Sequence, residues 1–301
     1  MWSLLKTTFN DWYEDRAQRI GAALAYYTIF ALTPGLVILM ALAGLLLGPG
    51  AESQIIEQIR ELIGEQGAVA IEATISSARK ETLGPSGTAL ALIPLVFGLW
   101  GVFGELQDSL NTIWGVTPKP GRRVRDILRE RFLSFAMVVG IGFLLLVSLV
   151  LSAWLAAVST YVGRLLPAPP DVLEAVNFVI SFFVITGSFG LIFKLLPDVK
   201  VAWRDVWLGA AVTSLFFTIG KLLIGLYLGK SAVASAYGAA GSLVVIVVWV
   251  YYSAQILLFG AEFTKVWTRR RGSGFVPEKT AMPVTQEARA EQGMGPRTPS
   301  A

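Results

Sequence analysis

The sequence predicts an all-α membrane protein of six transmembrane helices, with both ends in the cytoplasm and short external amphipathic helices between spans one and two. Three observations predict it. The 301-residue chain is 54% hydrophobic and only 15% charged, where an ordinary soluble domain carries about 25% charged residues, and its mean hydropathy is +0.62. Six apolar runs recur, at about 20–47, 88–114, 132–158, 174–196, 206–228 and 239–263, each long enough to cross a hydrocarbon core of roughly 30 Å. Lysine and arginine, which resist translocation, then alternate between the connecting segments. Three stand in residues 1–19 (Lys6, Arg16, Arg19), six in 118–131, three from Lys194 to Arg204 and four from Lys265 to Arg271. The intervening segments have three among six glutamates in 51–83, then Arg164 and then Lys230. Six spans with both termini inside satisfy every count.

Residues 1–19 are expected to form an interfacial helix, because Trp2, Leu5, Phe9 and Trp12 fall on one helical face with charge on the other. No cleavable signal is expected there, and the first apolar run exceeds a signal-peptide core in length, so span one is read as an uncleaved anchor. Residues 20–268 make up the six-span domain. Within it, 51–83 predicts two external amphipathic helices broken near Gly64 and Gly67, with Ile55, Ile56, Ile59, Leu62 and Ile63 opposed to Glu57, Glu61 and Glu65. An acidic face gains nothing from an anionic membrane surface, so these helices are expected to cap the bundle. The inner segment 119–131 interleaves Val124, Ile127 and Leu128 with Arg122, Arg123, Arg125 and Arg129, a basic face suited to anionic lipid headgroups as well as to fixing topology. Residues 269–301 lose apolar periodicity and are rich in Gly, Pro and polar residues, the composition of a disordered cytoplasmic tail.

The chain has no cysteine and no histidine. Disulfides and thiolate chemistry are excluded, and the commonest neutral-pH general base and metal ligand is missing. No catalytic residue, metal site or cofactor is expected.

Polar groups at membrane depth are costly and tend to face other helices, water or a substrate. Pro34 lies near the middle of span one, where it removes a donor and should kink or break the helix. Gly187, in the "TGSFG" of span four, occupies the corresponding place if the six spans are read as three plus three, an arrangement transporters use to expose backbone dipoles. Glu105 and Asp108 in span two and Lys221 in span five are ionisable; at 1.5 Å per residue the depths of Glu105 and Lys221 differ by an amount a lysine side chain nearly spans. Either the two pair, or Lys221 snorkels outward and the carboxylates meet inner cations. Tyr26, Tyr27, Tyr251, Gln255 and Glu262 complete the candidate lining of a path. Gly225 and Gly229 are four residues apart at the outer end of span five, and Ala234, Gly238 and Ser242 have the same spacing into span six, the pattern that lets membrane helices approach closely, and they form either a tight contact or the hinge of an outward gate.

The blocks "DWYEDRAQRIGAALAYYTIFALTPGLVILMALAG", "VAWRDVWLGAAVTSLFFTIGKLLIGLYLG" and "VASAYGAAGSLVVIVVWVYYSAQILLFGAEFTKV" resemble the BrkB/YihY family of bacterial inner-membrane proteins, historically mislabelled ribonuclease BN. The resemblance covers about residues 10–268. It implies a six-span inner-membrane protein with cytoplasmic ends, an association with serum resistance in some pathogens, and a proposed role in moving lipid or lipopolysaccharide precursors. The nuclease label finds no support in these residues. A metal-dependent RNA hydrolase needs convergent ligands and a general base, and the basic segment 119–131 has no aromatic side chain on which a base could stack.

The expected function is therefore a transporter or lipid-handling protein of the cell envelope, moving an amphiphile or anion through a polar-lined bundle, with anionic lipids as partners and no nucleic acid. The competing expectation is a non-transporting scaffold that holds envelope-biogenesis proteins.

Overall fold

The computed structural model describes residues 2–47, 51–80, 101–121, 170–230 and 241–295. Helices α1 (Trp2–Glu14), α2 (Ala17–Leu47) and α3 (Ala51–Lys80) are followed by α4 (101–114), strand β1 (Val116–Pro118), α5 (Pro170–Leu195), β2 (Val199–Val201), α6 (Trp203–Lys230), α7 (Gly241–Arg270), β3 (Phe275–Pro277), β4 (Ala281–Pro283) and α8 (Gln286–Glu291). Among the described residues, three segments are long and apolar enough to cross a membrane: Phe178–Leu195 in α5, Trp203–Ile224 in α6 and Leu243–Arg270 in α7. They coincide with the expected fourth, fifth and sixth spans, and the protein is a mainly helical membrane protein. The expected third span, residues 88–100 of the second, Arg122, Arg123, Arg125 and Arg129, and Ala234 and Gly238 lie outside the described residues.

α7 is the hub, packing against α1, α2, α3 and α6, while α5 packs on α6. Two apolar clusters sit toward opposite ends of these helices. At the end where α5 stops and α6 starts, Leu110, Ile113 and Trp114 of α4 meet Phe189 and Phe193 of α5, Val206 and Ala210 of α6, and Leu258 and Ala261 of α7. At the other end, Ala70, Ile71 and Ile75 of α3 close over Leu36, Ile224, Val245 and Ile246. α3 is thus a packed cap, as expected, but it is one continuous helix through Gly64 and Gly67. Gly67 and Ala68 are buried there, so tertiary packing holds helical geometry at a glycine whose propensity would end it. On its outer face Arg60 bridges Glu57 and, at 2.8 Å, Glu65. The hydrogen bond to Glu57 raises the Arg60 pKa, followed by weaker help from Glu65 against desolvation, so the guanidinium stays charged.

α2 and α5 are likewise continuous across Pro34 and Gly187. Neither helix is broken at these positions. A proline withdraws one donor from the ladder, a loss that a long helix supported by its neighbours tolerates.

A close α6–α7 contact is built by glycines at the other end of α6 from Gly225 and Gly229. A Cβ added to Gly209 would come 2.8 Å from the Cβ of Thr264, and one added to Gly260 would come 2.8 Å from that of Thr213. Each threonine donates its hydroxyl to the carbonyl of the glycine four residues back in its own helix, at 2.7 Å in both cases. Two antiparallel Gly-x-x-x-Thr pairs therefore interlock, with both hydroxyls satisfied inside their own helices. Gly220 makes a third such contact under the Tyr252 ring.

The largest departure is at the carboxyl end, where residues 269–295 are ordered rather than disordered. β3 pairs antiparallel with β2 (Lys200 opposite Val276), and β4 pairs antiparallel with β1 (Thr117 opposite Met282). Thr285 caps α8 by accepting from the Ala288 amide at 3.2 Å. The segment is polar in composition but supplies strands that pair with β1 and β2, and backbone pairing adds to the burial of Ala281 and the packing of Phe275 on Trp114.

Candidate functional site

α1 ends at Glu14, and Arg16 adopts φ 51°, an uncommon left-handed conformation for a residue with a side chain. The turn swings Asp15 inward, where it is 1% exposed. Arg289 of α8 reaches it at 2.6 Å, and Lys265 of α7 lies 3.5 Å from its other oxygen. Lys265 also pairs with Glu262, one helical turn back, lies 3.6 Å from Asp11, and donates to the Ile113 carbonyl at 3.0 Å, near the end of α4. Glu262, Lys265 and Arg289 are all buried. Buried charges are tolerated only when paired and hydrogen-bonded, and this knot ties α1, α4, α7 and α8 at one point. Among the described residues its carboxylates Asp11, Asp15 and Glu262 meet Lys265 and Arg289, and no group of three or more acidic side chains is arranged to hold a metal ion.

Beside the knot, Asp198 accepts from Asn111 at 2.9 Å and from Gln107 at 3.2 Å, while its amide donates to Asn111 at 2.8 Å. A cleft of about 330 Å³ opens between α4, β1 and α8, lined by Asp108, Asn111, Thr117, Arg289 and Gln292.

Higher in the bundle the described polar groups converge on α7. Gln255 packs on Gly21 of α2 and donates weakly, at 3.4 Å, to the Ala17 carbonyl. Tyr27 covers Gly101 of α4, where an added Cβ would lie 2.9 Å from its ring. The buried Trp249 Nε1, Ser253 Oγ and Gln255 Oε1 have no hydrogen-bond partner among the described residues. Such groups cost free energy in an apolar medium unless something polar meets them.

The expected site residues are distributed as follows. Tyr27 and Gln255, partly exposed and half-buried, lie against glycines of α4 and α2 respectively, Tyr251 is half-buried on α7, and Tyr26 is 59% exposed and packs on Phe30 at 4.8 Å. Glu105 and Lys221 are half-buried, and Glu262 is buried and pairs with Lys265. Pro34 and Gly187 lie inside continuous helices, Gly225 and Gly229 lie near the end of α6, and Ser242 opens α7. Sequence reasoning missed Asp15, Lys265 and Arg289. Asp15 looks like the solvated end of an interfacial helix, and Arg289 lies in a segment with no apolar pattern. Gly209, Thr213, Gly260 and Thr264 were legible from their spacing, which matches the pattern sought further along.

The profile of the family described as virulence factor BrkB matches residues 8–285. Among curated relatives, a UPF0761 membrane protein of Verminephrobacter eiseniae is 27% identical over 279 residues, which cover 87% of this chain and 62% of the relative. Another from Pseudomonas aeruginosa strain LESB58 is 26% identical over 272 residues, covering 85% and 62%. One from Ralstonia nicotianae is 30% identical over 198 residues, covering 62% and 43%. The chain thus spans about three fifths or less of the length of these relatives. No solved structure matches it. With a match running from α1 through β4, the chain belongs to the virulence factor BrkB family of membrane proteins.

Proposed function

We propose that the protein is a transporter or lipid-handling protein of the bacterial inner membrane, with both ends cytoplasmic, that moves an amphiphile or anion through its helix bundle and hydrolyses nothing. The observation that carries this reading is the set of buried polar atoms of Trp249, Ser253 and Gln255 without partners among the described residues, inside a segment apolar and long enough to span a membrane. An inert apolar bundle would be more stable with leucine or alanine at these positions, whereas a path for a polar group needs them. Gln255 and Tyr27 each lie against a glycine of a neighbouring helix, so a small displacement of α2 relative to α4 or α7 alters access to them.

The test is reconstitution into liposomes with a fluorescent anionic lipid on one leaflet or a trapped organic anion. Wild-type protein is expected to accelerate movement of one of these above empty vesicles, and Ser253→Ala with Gln255→Leu is expected to lower that rate about tenfold while raising thermal stability, since it removes unsatisfied groups. Movement by the double variant at the wild-type rate would remove these residues from the path, and no movement of either cargo by wild type would overturn the reading.

A further inference from the structure

The ends of α5 and α7 and the start of α6 lie together, because β2, between α5 and α6, pairs with β3, which follows α7. Trp203 and Trp207, 46% and 47% exposed and 6.3 Å apart, stand on the outer surface at this end. Exposed tryptophans at the terminus of a spanning helix mark the depth of lipid headgroups. At the same level a cleft of about 500 Å³ lies between the first turn of α6 and the last turn of α7, lined by Arg204, Asp205, Trp267, Arg271 and Ser273.

The charges in this cleft are unevenly committed. Asp205 is buried, and its Oδ2 accepts from both the amide and the hydroxyl of Ser273, each at 2.9 Å. Gly272 makes that approach feasible, since a Cβ there would come 2.6 Å from the same oxygen. Neither Arg204 nor Arg271 forms an ion pair among the described residues; Arg271 lies over the Trp267 ring, 5.8 Å from its centre. Two exposed guanidiniums and one carboxylate leave a single positive charge. Lys194, the nearest other cation described on α5, is already used by the Val201 carbonyl and the Trp203 face.

We propose that this cleft binds the phosphodiester of an anionic phospholipid, held by Arg204 and Arg271 with its acyl chains running along the surface of α6 past Trp203 and Trp207. Guanidinium forks match phosphate oxygens in geometry as well as charge. The net single charge suits a phosphodiester, which carries one, and the lipid-facing tryptophans favour a lipid over a soluble phosphate. The site binds its lipid whether or not the protein moves any, so it stands apart from the transport reading.

The experiment is native mass spectrometry of the full chain in detergent, titrated with phosphatidylglycerol or with phosphatidylcholine, and repeated with excess glycerol 3-phosphate. Wild-type protein is expected to retain phosphatidylglycerol in preference, and glycerol 3-phosphate is expected to leave that binding unchanged. Arg204→Gln and Arg271→Gln, both at exposed positions, are each expected to weaken phosphatidylglycerol binding about tenfold and to leave phosphatidylcholine unaffected, while Arg204→Lys is expected to retain part of it. Undiminished phosphatidylglycerol binding by the folded Gln variants would overturn the site. Displacement by glycerol 3-phosphate at comparable concentration would overturn the lipid assignment in favour of a free phosphate.

Discussion

Lys265 is the residue on which the charged knot between α1, α4 and α7 depends. It contacts two aspartates on the α1–α2 arm, a glutamate on its own helix and a carbonyl of α4, with no exposed surface. Removing one partner of a buried ion pair leaves an uncompensated charge, and this costs about 3–5 kcal/mol. Lys265→Met is therefore expected to unfold the protein in detergent at markedly lower temperature, followed by thermal denaturation of the purified chain. Glu262→Gln added to Lys265→Met is expected to recover part of the loss, since no charge is then left at position 262; a purely additive double variant would show that the two do not act as a pair. Arg289 is the second anchor. Arg289→Ala leaves Lys265 in place beside Asp15 and is expected to destabilise less than Lys265→Met, because one cation remains within reach.

Between elements, the α6–α7 contact is set by glycine and threonine rather than by large apolar side chains. Apolar burial gives helices little reason to associate in lipid, so close backbone approach and dispersion contacts decide the pairing. Gly209→Leu or Gly260→Leu forces the helices apart and is expected to cost about 1–3 kcal/mol. Thr213→Ala, which relieves crowding and forfeits only a bond within its own helix, is expected to be mild. Chemical denaturation of the three variants side by side checks the ranking. α3 shows the same lesson at the other end: its two glycines do not break it, because Ala68, Ala70, Ile71 and Ile75 are buried along one face.

Across the molecule, the carboxyl-terminal segment is a clasp. β3 and β4 each pair with a strand from a different loop, and α8 delivers Arg289 to Asp15. The chain has no cysteine of its own, so a Thr117→Cys, Met282→Cys pair gives an unambiguous reading of β1–β4 register. Oxidation is expected to close one intramolecular disulfide in high yield, seen as a mobility shift reversed by reductant, whereas a detached tail would give little. Truncation after Arg271 removes both strand pairings and Arg289 together, and is expected to lower the melting temperature by more than Arg289→Ala does.

Hydropathy and charge along the chain were enough to establish a helical membrane protein, to place the ends of α5, α6 and α7 within seven residues, and to put a cap over one end of the bundle. Both properties act on each segment alone and need no knowledge of its neighbours. They also marked Glu262, Gln255 and Tyr27 as polar groups at depth. What those groups meet emerged only from the folded arrangement: Glu262 pairs with Lys265, and Tyr27 and Gln255 each settled over a glycine. The same holds for residues 269–295, whose composition lacks apolar pattern yet which order on strand edges supplied from 116–118 and 199–201. The physical reason is that ion pairs and strand pairings are properties of two distant segments brought together, and the cost of burying a charge or ordering a polar chain can be judged only once the partner is in place.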